Sequence, residues 1–254
     1  MLRAHDTATR IARSFGHGLD GDVTVGLMPT MTRCALAPTL SHFIDEHPNV
    51  TVRVQEGYSG NLTQRVRSGE LDFAIVPAFP GLAGLASRLF LRTPEVLVCR
   101  ADLGRQHMTP VCLADVGALK LILPSAINTR RHTLETYCAA NGIEIARVLE
   151  LDAMLGTLDL ISRSDWVGIL PGILMANEAA DSALTVHPLA TPELWLDLVM
   201  IEPSRRPMSA AAKAFLARME LETRRLNARW PAPSEGAITA PANRAASRAE
   251  SRQR

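Results

Sequence analysis

The sequence predicts an α/β protein in which an alternation of strands and helices occurs twice. The first half of the chain follows the order β-α-β-α-β, and a similar series comes after it. The predicted strand at 71–76 is nearly continuous in apolar residues, as expected for a strand covered on both faces. This alternation is typical of parallel sheets with right-handed crossovers. With 254 residues, 47% of them hydrophobic, the chain can form one large lobe or two modest ones.

Hydrophobic periodicity and helix signals predict each element in order. The predicted strands cover 23–27, 50–55, 71–76, 95–100, 119–123, 148–151, 166–170 and 196–201. The predicted helices cover 36–44, a short segment around Leu62 and Val66 closed by Gly69, 130–140 with a stop at Asn141 and Gly142, 154–161, and a last helix capped by Ser209. Because the last strand and helix could return to either half, periodicity leaves the boundaries of the lobes open.

The two ends of the chain depart from this pattern. Residues 1–22 combine a loosely amphipathic helical pattern with a glycine-rich joint. Residues 231–254 are rich in Pro, Ala, Ser and Arg and have Ile238 as their only large apolar residue, which predicts a disordered tail. The N-terminus lacks the apolar core of a signal peptide, and no run approaches about 18 apolar residues. We therefore expect a cytoplasmic protein that does not associate with membranes.

Composition and motifs argue against several classes of function. The 27 basic and 26 acidic residues give a net charge of +1, which does not favour a globally basic DNA-binding protein. The four cysteines form no C-x-x-C pair, and we interpret them as reduced thiols. The seven histidines lack metal-ligand spacing, and neither G-x-G-x-x-G nor a Walker A sequence is present. We expect no metal, no cofactor and no enzymatic activity.

Four loops that follow predicted strands are rich in hydroxyl and amide groups: 29–32, 58–61, 124–129 and 171–172. In open α/β sheets, ligands bind outside the carboxyl ends of the strands, where helix N-termini present unpaired N–H groups. A G-x-S-x-G nucleophile elbow around Ser59 fails because residue 61 is Asn. Thr32, Ser59 and Thr129 could instead cap helices, and Asp152 could cap the helix that follows it. Capping and ligand binding remain compatible alternatives for these hydroxyl groups.

The first of these loops is followed by a proline that constrains its conformation. Pro38 lacks a backbone N–H and cannot donate to residue 34, so a helix that started at Thr32 would be kinked. We therefore predict a loop or an irregular first turn over 29–34. Its N–H groups are then free to form one wall of a ligand cleft.

The segment 56–76, EGYSGNLTQRVRSGELDFAIV, resembles the effector-binding domain of LysR-type transcriptional regulators. Phe43 and Pro48 upstream, and the strands LILP at 121–124 and GILP at 168–171, extend the resemblance over about 23–226. The resemblance implies two Rossmann-like α/β lobes joined by two crossover strands, a periplasmic-binding-protein-like (type 2) fold. The first lobe would be 23–100 plus 195–230, and the second would be 101–194.

The resemblance also implies a function in ligand sensing. A small-molecule effector, expected to be a carboxylate or another small anion, would bind between the lobes and modulate transcription. Carried over residue by residue, the ligand contacts would be Thr30, Met31, Thr32, Ser125, Ala126, Asn128 and Pro171. The family pattern further implies a homo-oligomer, either an antiparallel dimer or a tetramer, with the helix at 36–44 of one subunit near the second lobe of another.

The N-terminus departs from the family pattern. Family members begin with a winged helix-turn-helix and a long linker helix, whereas residues 2–15 look like the last turns of that linker. We therefore expect contact with DNA only through a helix-turn-helix that this chain lacks. The alternative is a solute-binding protein of a transport system, which shares the lobes and the cleft but would need an export signal.

Overall fold

The structure, a computed structural model, describes residues 18–79, 83–101, 106–178, 182–235 and 237–239. The predicted linker remnant lies mostly outside these ranges, as do residues 240–254. The strands are β1 (Asp20–Leu27), β2 (Asn49–Glu56), β3 (Phe73–Pro77), β4 (Leu85–Arg100), β5 (Leu119–Leu123), β6 (Ile145–Glu150), β7 (Trp166–Pro171), β8 (Leu184–Pro188), β9 (Leu194–Pro203) and β10 (Ile238–Thr239). The helices are α1 (Pro29–Met31, Thr32–Leu36 and Ala37–Glu46 in direct succession), α2 (Ser59–Arg67), α3 (Thr129–Ala140), α4 (Met154–Arg163) and α5 (Ala210–Asn227), with 3-10 turns at Leu113–Asp115 and Gly172–Met175.

The first lobe is built on a sheet with the strand order β2-β1-β3-β9-β4. β1 is parallel to β2 and β3, whereas β9 is antiparallel to β3 and to the first part of β4. Helices α1 and α5 cover one face, where the rings of Phe43 and Phe215 meet edge to face with centroids 5.1 Å apart. Helix α2 covers the other face through Leu62 and Val66. Covering on both faces explains why every residue of β3 is buried.

The second lobe repeats this arrangement with the strand order β4-β7-β5-β6. β5 is parallel to β6 and β7, while β7 and β8 are both antiparallel to the last part of β4. Leu121 packs with Leu134 of α3 on one face of the sheet. Ile122 packs with Leu158 and Ile161 of α4 on the other face. The alternation along β5 therefore holds one helix on each side of the sheet.

Two strands carry the chain between the lobes. β4 pairs with β9 up to Pro94, which lies opposite Trp195, and with β7 from Glu95, which lies opposite Pro171. β9 follows β8 and returns the chain to the first lobe, where α5 packs against α1. The predicted α/β fold with two lobes and two crossover strands is confirmed.

The start of α1 differs from the prediction. Residues 29–34 are helical, so of the two predicted alternatives the loop is wrong, whereas the irregular first turn is found. Pro29 occupies the first helical position, where a missing N–H costs no hydrogen bond. Thr32–Leu36 then form a π-helical turn just before Pro38. A π turn shifts the hydrogen-bond pattern by one residue, which accommodates the donor that Pro38 lacks without ending the helix.

Three other helix ends follow the sequence signals: the start of α5 and the C-terminal ends of α2 and α3. Ser209 caps α5, since its hydroxyl accepts a hydrogen bond of 3.1 Å from the backbone N–H of Ala212. Gly69 and Gly142 follow α2 and α3 with φ values of 77° and 62°, which favour glycine. Among the described residues, every helix is too short or too polar to cross a membrane.

Part of the predicted tail, 231–235 and 237–239, lies among the described residues. Just before this tail, Trp230 is buried in the apolar cluster of the second lobe, where it packs near Gly172 and Pro94. β10 pairs in parallel with β9, and the N–H of Ile238 donates to the carbonyl of Glu193 at 2.9 Å. Low apolar content predicts that this segment forms no core of its own. Backbone hydrogen bonds to an existing strand order residues 237–239 instead.

We predict that Phe215→Ala lowers the free energy of unfolding by about 3–5 kcal/mol, because it removes a fully buried ring from the core between α1, α5 and the sheet. Urea unfolding of the purified chain measures this change. Leu221→Ala is the control on the same helix. Since Leu221 is 57% exposed, its loss should change stability by no more than about 0.5 kcal/mol. Equal effects of the two substitutions would contradict the packing of α5 on the first lobe.

Candidate functional site

The N-termini of four helices meet between the two lobes. Each of these helices follows the carboxyl end of a parallel strand: β1 leads to α1, β2 to α2, β5 to α3 and β6 to α4. A cavity of about 540 Å³ lies at this edge, lined by Pro29, Thr32, Arg33, Glu56, Gly57, Tyr58 and residues 152–156. Its walls therefore come from the first turns of α1 and the end of β2 in one lobe and from the first turn of α4 in the other.

Two smaller spaces continue along the same cleft. A cavity of about 30 Å³ shares Tyr58, Asp152 and Met154 with the large one and is also lined by Asn128 and Arg130. A pocket of about 210 Å³ lies between the lobes and is lined by Ser59, Gly60, Thr63, Arg67, Phe79, Ile127 and Thr129. The cleft thus extends from α1 and α4 at one end to the N-termini of α2 and α3 at the other.

The three predicted contacts in the first loop have different environments. Thr30 is 3% exposed and Met31 is fully buried in the core of the first lobe. Neither is among the residues that line the 540 Å³ cavity, whereas Thr32 is. The Thr32 hydroxyl bonds the carbonyl of Pro29 at 3.0 Å and the carboxylate of Glu56. Thr32 therefore lines the cleft, whereas Thr30 and Met31 are buried in the first lobe.

The predicted contacts in the second lobe are likewise divided. The N–H of Ser125 donates to Asp152 Oδ1 at 3.0 Å, and the Ser125 hydroxyl is buried without a hydrogen-bond partner. Ala126 is exposed, and Asn128 lines the 30 Å³ cavity. Pro171 is buried at the end of β7, opposite Glu95, and is not among the residues that line these three cavities. The structure thus places the loop 124–129 at the cleft and Pro171 at the strand crossing.

The capping interpretation is wrong for each of the candidate residues. The residue before α2 is Tyr58 and the one before α4 is Ala153, and neither side chain caps its helix. Asn128 caps α3 by accepting from the N–H of Arg130 at 3.0 Å. Ser59 and Thr129 are each the first residue inside a helix, and Thr32 lies within α1. The Ser59 hydroxyl is buried without a hydrogen-bond partner, so capping does not account for it.

Two polar contacts join α1 and α2 to the segments across the cleft. The Tyr58 hydroxyl donates to the carbonyl of Asp152 at 2.6 Å. The Arg33 guanidinium bonds Glu178, which follows the 3-10 turn after β7, at 2.9 Å. Burial raises the pKa of Tyr58, and the charges of Asp152 and Glu56 raise it further. The phenol therefore stays protonated and remains a donor.

A buried ion pair connects the cleft to the strand crossing. Arg130 is held by both carboxylate oxygens of Glu95, at 2.9 and 2.8 Å, and also donates to the carbonyl of Ile169 at 3.1 Å. The side chains are 6% and 4% exposed. Burial raises the pKa of Glu95, and the charge of Arg130 opposes that rise. The sequence pattern does not reveal this pair, because its members are 35 residues apart and share no motif.

Comparison with known proteins identifies the family. The sequence model described as "LysR substrate binding domain" matches residues 16–222. The chain belongs to this family. The nitrogen assimilation regulatory protein nac of Klebsiella aerogenes is 24% identical over 234 residues, which are 89% of this chain and 76% of that protein. The nac protein of Escherichia coli strain K12 is 22% identical over 84% of this chain and 70% of that protein.

Solved structures of LysR-type regulatory domains have the same fold. The reduced OxyR regulatory domain of Pseudomonas aeruginosa has a TM-score of 0.69 at 16% identity, over 81% of this chain and 100% of that chain. The CcmR regulatory domain of Synechocystis PCC6803 in complex with 2-PG has a TM-score of 0.68 at 18% identity, over 81% of this chain and 98% of that chain. These likenesses confirm the periplasmic-binding-protein-like architecture of the LysR effector-binding domain.

The family settles the class of function. The chain is a ligand-sensing regulatory domain of the LysR type, and the alternative of a solute-binding protein of a transport system is not favoured. The relatives are transcriptional regulators rather than enzymes. Among the described ranges, no group of three or more His, Cys, Asp or Glu side chains is placed to hold a metal ion.

We predict that Tyr58→Phe loosens the contact between the lobes, because it removes the 2.6 Å hydrogen bond to Asp152 and little else. A net hydrogen-bond contribution of about 0.5–1.5 kcal/mol corresponds to roughly two- to tenfold faster hydrogen exchange at 152–158. Mass spectrometry after deuterium exchange measures this rate. Tyr137→Phe is the control, since it removes a 2.7 Å bond to Pro192 within the second lobe. Unchanged exchange at 152–158 in Tyr58→Phe would contradict a bridging role.

We predict that Arg130→Ala lowers the free energy of unfolding by about 3–5 kcal/mol, because it leaves the Glu95 carboxylate buried without its partner. The double variant Arg130→Met with Glu95→Leu should recover most of that loss, since it removes both charges and keeps the volume. Urea unfolding of the three proteins measures the difference. If the double variant were as unstable as the single one, packing rather than charge pairing would explain the effect.

Proposed function

We propose that this chain senses a small molecule with an anionic group, which binds in the cleft and shifts the arrangement of the lobes to modulate transcription. The observation that carries this proposal is the 540 Å³ cavity, whose walls come from α1 and the end of β2 in one lobe and from α4 in the other. A ligand in that position contacts both lobes at once. The effector site of the family, and the 2-PG complex of the CcmR regulatory domain, support a ligand between the lobes.

The contacts across the cleft are weak enough for a bound ligand to change the arrangement of the lobes. A ligand shifts a two-state equilibrium only by its differential affinity for the two states, typically about 1–3 kcal/mol. The Tyr58 hydrogen bond and the partly exposed Arg33–Glu178 pair are each expected to contribute about 1 kcal/mol or less. Contacts of this size are comparable to what a small ligand supplies, so binding can decide between an open and a closed arrangement.

Helix N-termini on both sides of the cleft support an anionic group in the effector. The 210 Å³ pocket is lined by the first residues of α2 and α3, whose unpaired N–H groups favour negative charge. Ser125, Ala126 and Asn128 lie in the loop that leads to α3, and Thr32 lies at the other end of the cleft. We propose these four residues as contacts, while Thr30, Met31 and Pro171 remain predictions from the family pattern.

Assembly, DNA contact and location are further parts of the proposal. The family pattern favours a dimer or tetramer, and Ile44, 50% exposed on α1, is available on the helix expected to face a partner. DNA would be reached through a helix-turn-helix of the LysR type. Since regulators act on DNA, we expect the protein to work in the cytoplasm.

We predict that Thr32→Ala and Ser125→Ala each weaken a bound effector by roughly two- to tenfold, the equivalent of one hydrogen bond. A thermal-shift screen with small carboxylates, sulfate and phosphate identifies a ligand, and calorimetry measures its affinity for the variants. Ser41→Ala is the control, because Ser41 is an exposed hydroxyl of α1 that bonds its own helix at 3.1 Å and does not line the cavity. If both cleft variants bound the ligand as tightly as the unmodified chain, Thr32 and Ser125 would not be ligand contacts.

A further inference from the structure

The wide end of the cleft carries an excess of negative charge. Among the described residues that line the 540 Å³ cavity, the charged side chains are Arg33, Glu56 and Asp152. The Arg33 guanidinium is already neutralised by Glu178 at 2.9 Å. The two carboxylates remain, one from each lobe, and both are exposed. Since both carboxylates line the same cavity, their negative charge disfavours an anion at this end of the cleft and favours a protonated amine.

The hydrogen bonds that these carboxylates already accept leave other lone pairs available to a ligand. Glu56 accepts from the Thr32 hydroxyl, and Asp152 accepts from the N–H of Ser125 at 3.0 Å. An ionised carboxylate has two oxygens and about four lone-pair sites, so each can accept further bonds from an ammonium group. Tyr58 lines the same cavity, and the pKa of its phenol is raised first by burial and further by the charges of Asp152 and Glu56.

The narrow end of the cleft has the opposite character. The 210 Å³ pocket is lined by Ser59, Thr63, Arg67 and Thr129, with no carboxylate among the described lining residues. Ser59 is 2% exposed, and its hydroxyl lacks a hydrogen-bond partner. A buried hydroxyl without a partner requires an explanation, and a ligand acceptor atom supplies one. A Cβ built at Gly60 meets no atom within 4 Å, so the space over the first turn of α2 is open.

The two ends are lined by adjacent residues of the chain, and each end has an exposed apolar side chain. Tyr58 lines the wide end and Ser59, the next residue, lines the narrow end. Leu155 lines the first and Ile127 the second. At 78% and 79%, they are the most exposed large hydrophobic side chains in the described part of the chain. A ligand with an apolar body that spans both ends would cover them.

We propose that the effector is amphoteric: its anionic group binds at Ser59 and the N-terminus of α2, its protonated amine binds between Glu56 and Asp152, and its apolar body lies against Leu155 and Ile127. Small amino carboxylates with an aliphatic or aromatic body have this chemistry. This inference rests on the proposed function, because it assigns charges to the two ends of the same cleft.

The experiment is a thermal-shift and calorimetric comparison of matched ligands on the purified chain. Each set shares one apolar body, for example leucine with both charges, 4-methylpentanoate with the carboxylate alone and 3-methylbutylamine with the amine alone. The standard α-amino acids with their deaminated and decarboxylated counterparts form the full panel. We expect an amphoteric member to bind at least roughly tenfold more tightly than either counterpart, as expected for one charge-assisted hydrogen bond.

Substitutions at the two ends of the cleft test the amine site and the anion site separately. Glu56→Gln should weaken the amphoteric ligand by roughly tenfold and leave its carboxylate counterpart unchanged or tighter, because the amine loses its charge partner. Ser59→Ala should weaken both of these ligands. Glu144→Gln is the control, since Glu144 is an exposed carboxylate just before β6, at the edge of the sheet opposite the cleft, and should change neither affinity.

The outcomes distinguish this inference from the proposed function. If a purely anionic or neutral ligand binds best and depends on Thr32 and Ser125, the effector cleft stands and its amphoteric character is wrong. If no amphoteric member of the panel binds, or if Glu56→Gln fails to discriminate between an amine-bearing ligand and its counterpart, the inference is also overturned. If a ligand bound tightly and no cleft variant changed its affinity, the cleft would not be the binding site.

Discussion

The change of partner along β4 is the constraint on which the rest of the structure depends. This strand pairs with β9 in the first lobe and with β7 and β8 in the second, and the change falls between Pro94 and Glu95. Pro94 cannot donate a backbone hydrogen bond, so it suits the point where one ladder ends. Glu95, the first residue of the second ladder, holds Arg130 at the start of α3. The position of the ligand loop is thereby fixed relative to the crossing.

The two kinds of contact between the lobes differ in strength, and this difference explains how a ligand can act. The crossing is buried and hydrogen-bonded along two strands, and breaking it would cost a large part of the stability of the fold. The contacts at the mouth of the cleft are single polar bonds from Tyr58 and Arg33. Motion is therefore expected at the mouth rather than at the crossing, with the crossing strands as the hinge.

Patterns within one element predicted most of the fold, and contacts between distant residues account for what was missed. The periodicity of α5 and the Ser209 cap are local, and both predictions are confirmed. The sequence offers Thr129 as a candidate cap of α3, but the cap is Asn128, since a one-residue shift alters which side chain reaches the free N–H. Asp152 bonds Ser125, 27 residues away, instead of capping α4. No local pattern encodes such a contact, and none encodes the Glu95–Arg130 pair.

The placement of the two cleft carboxylates links ligand charge to lobe arrangement. Glu56 ends β2 in the first lobe and Asp152 precedes α4 in the second, so closing the mouth brings like charges toward each other. Their repulsion opposes the Tyr58 hydrogen bond across the same gap. A cationic group between them reverses the sign of this interaction, because each carboxylate then attracts the ligand instead of repelling the other. The charge of the ligand, and not only its fit, would then decide which arrangement of the lobes is the more stable.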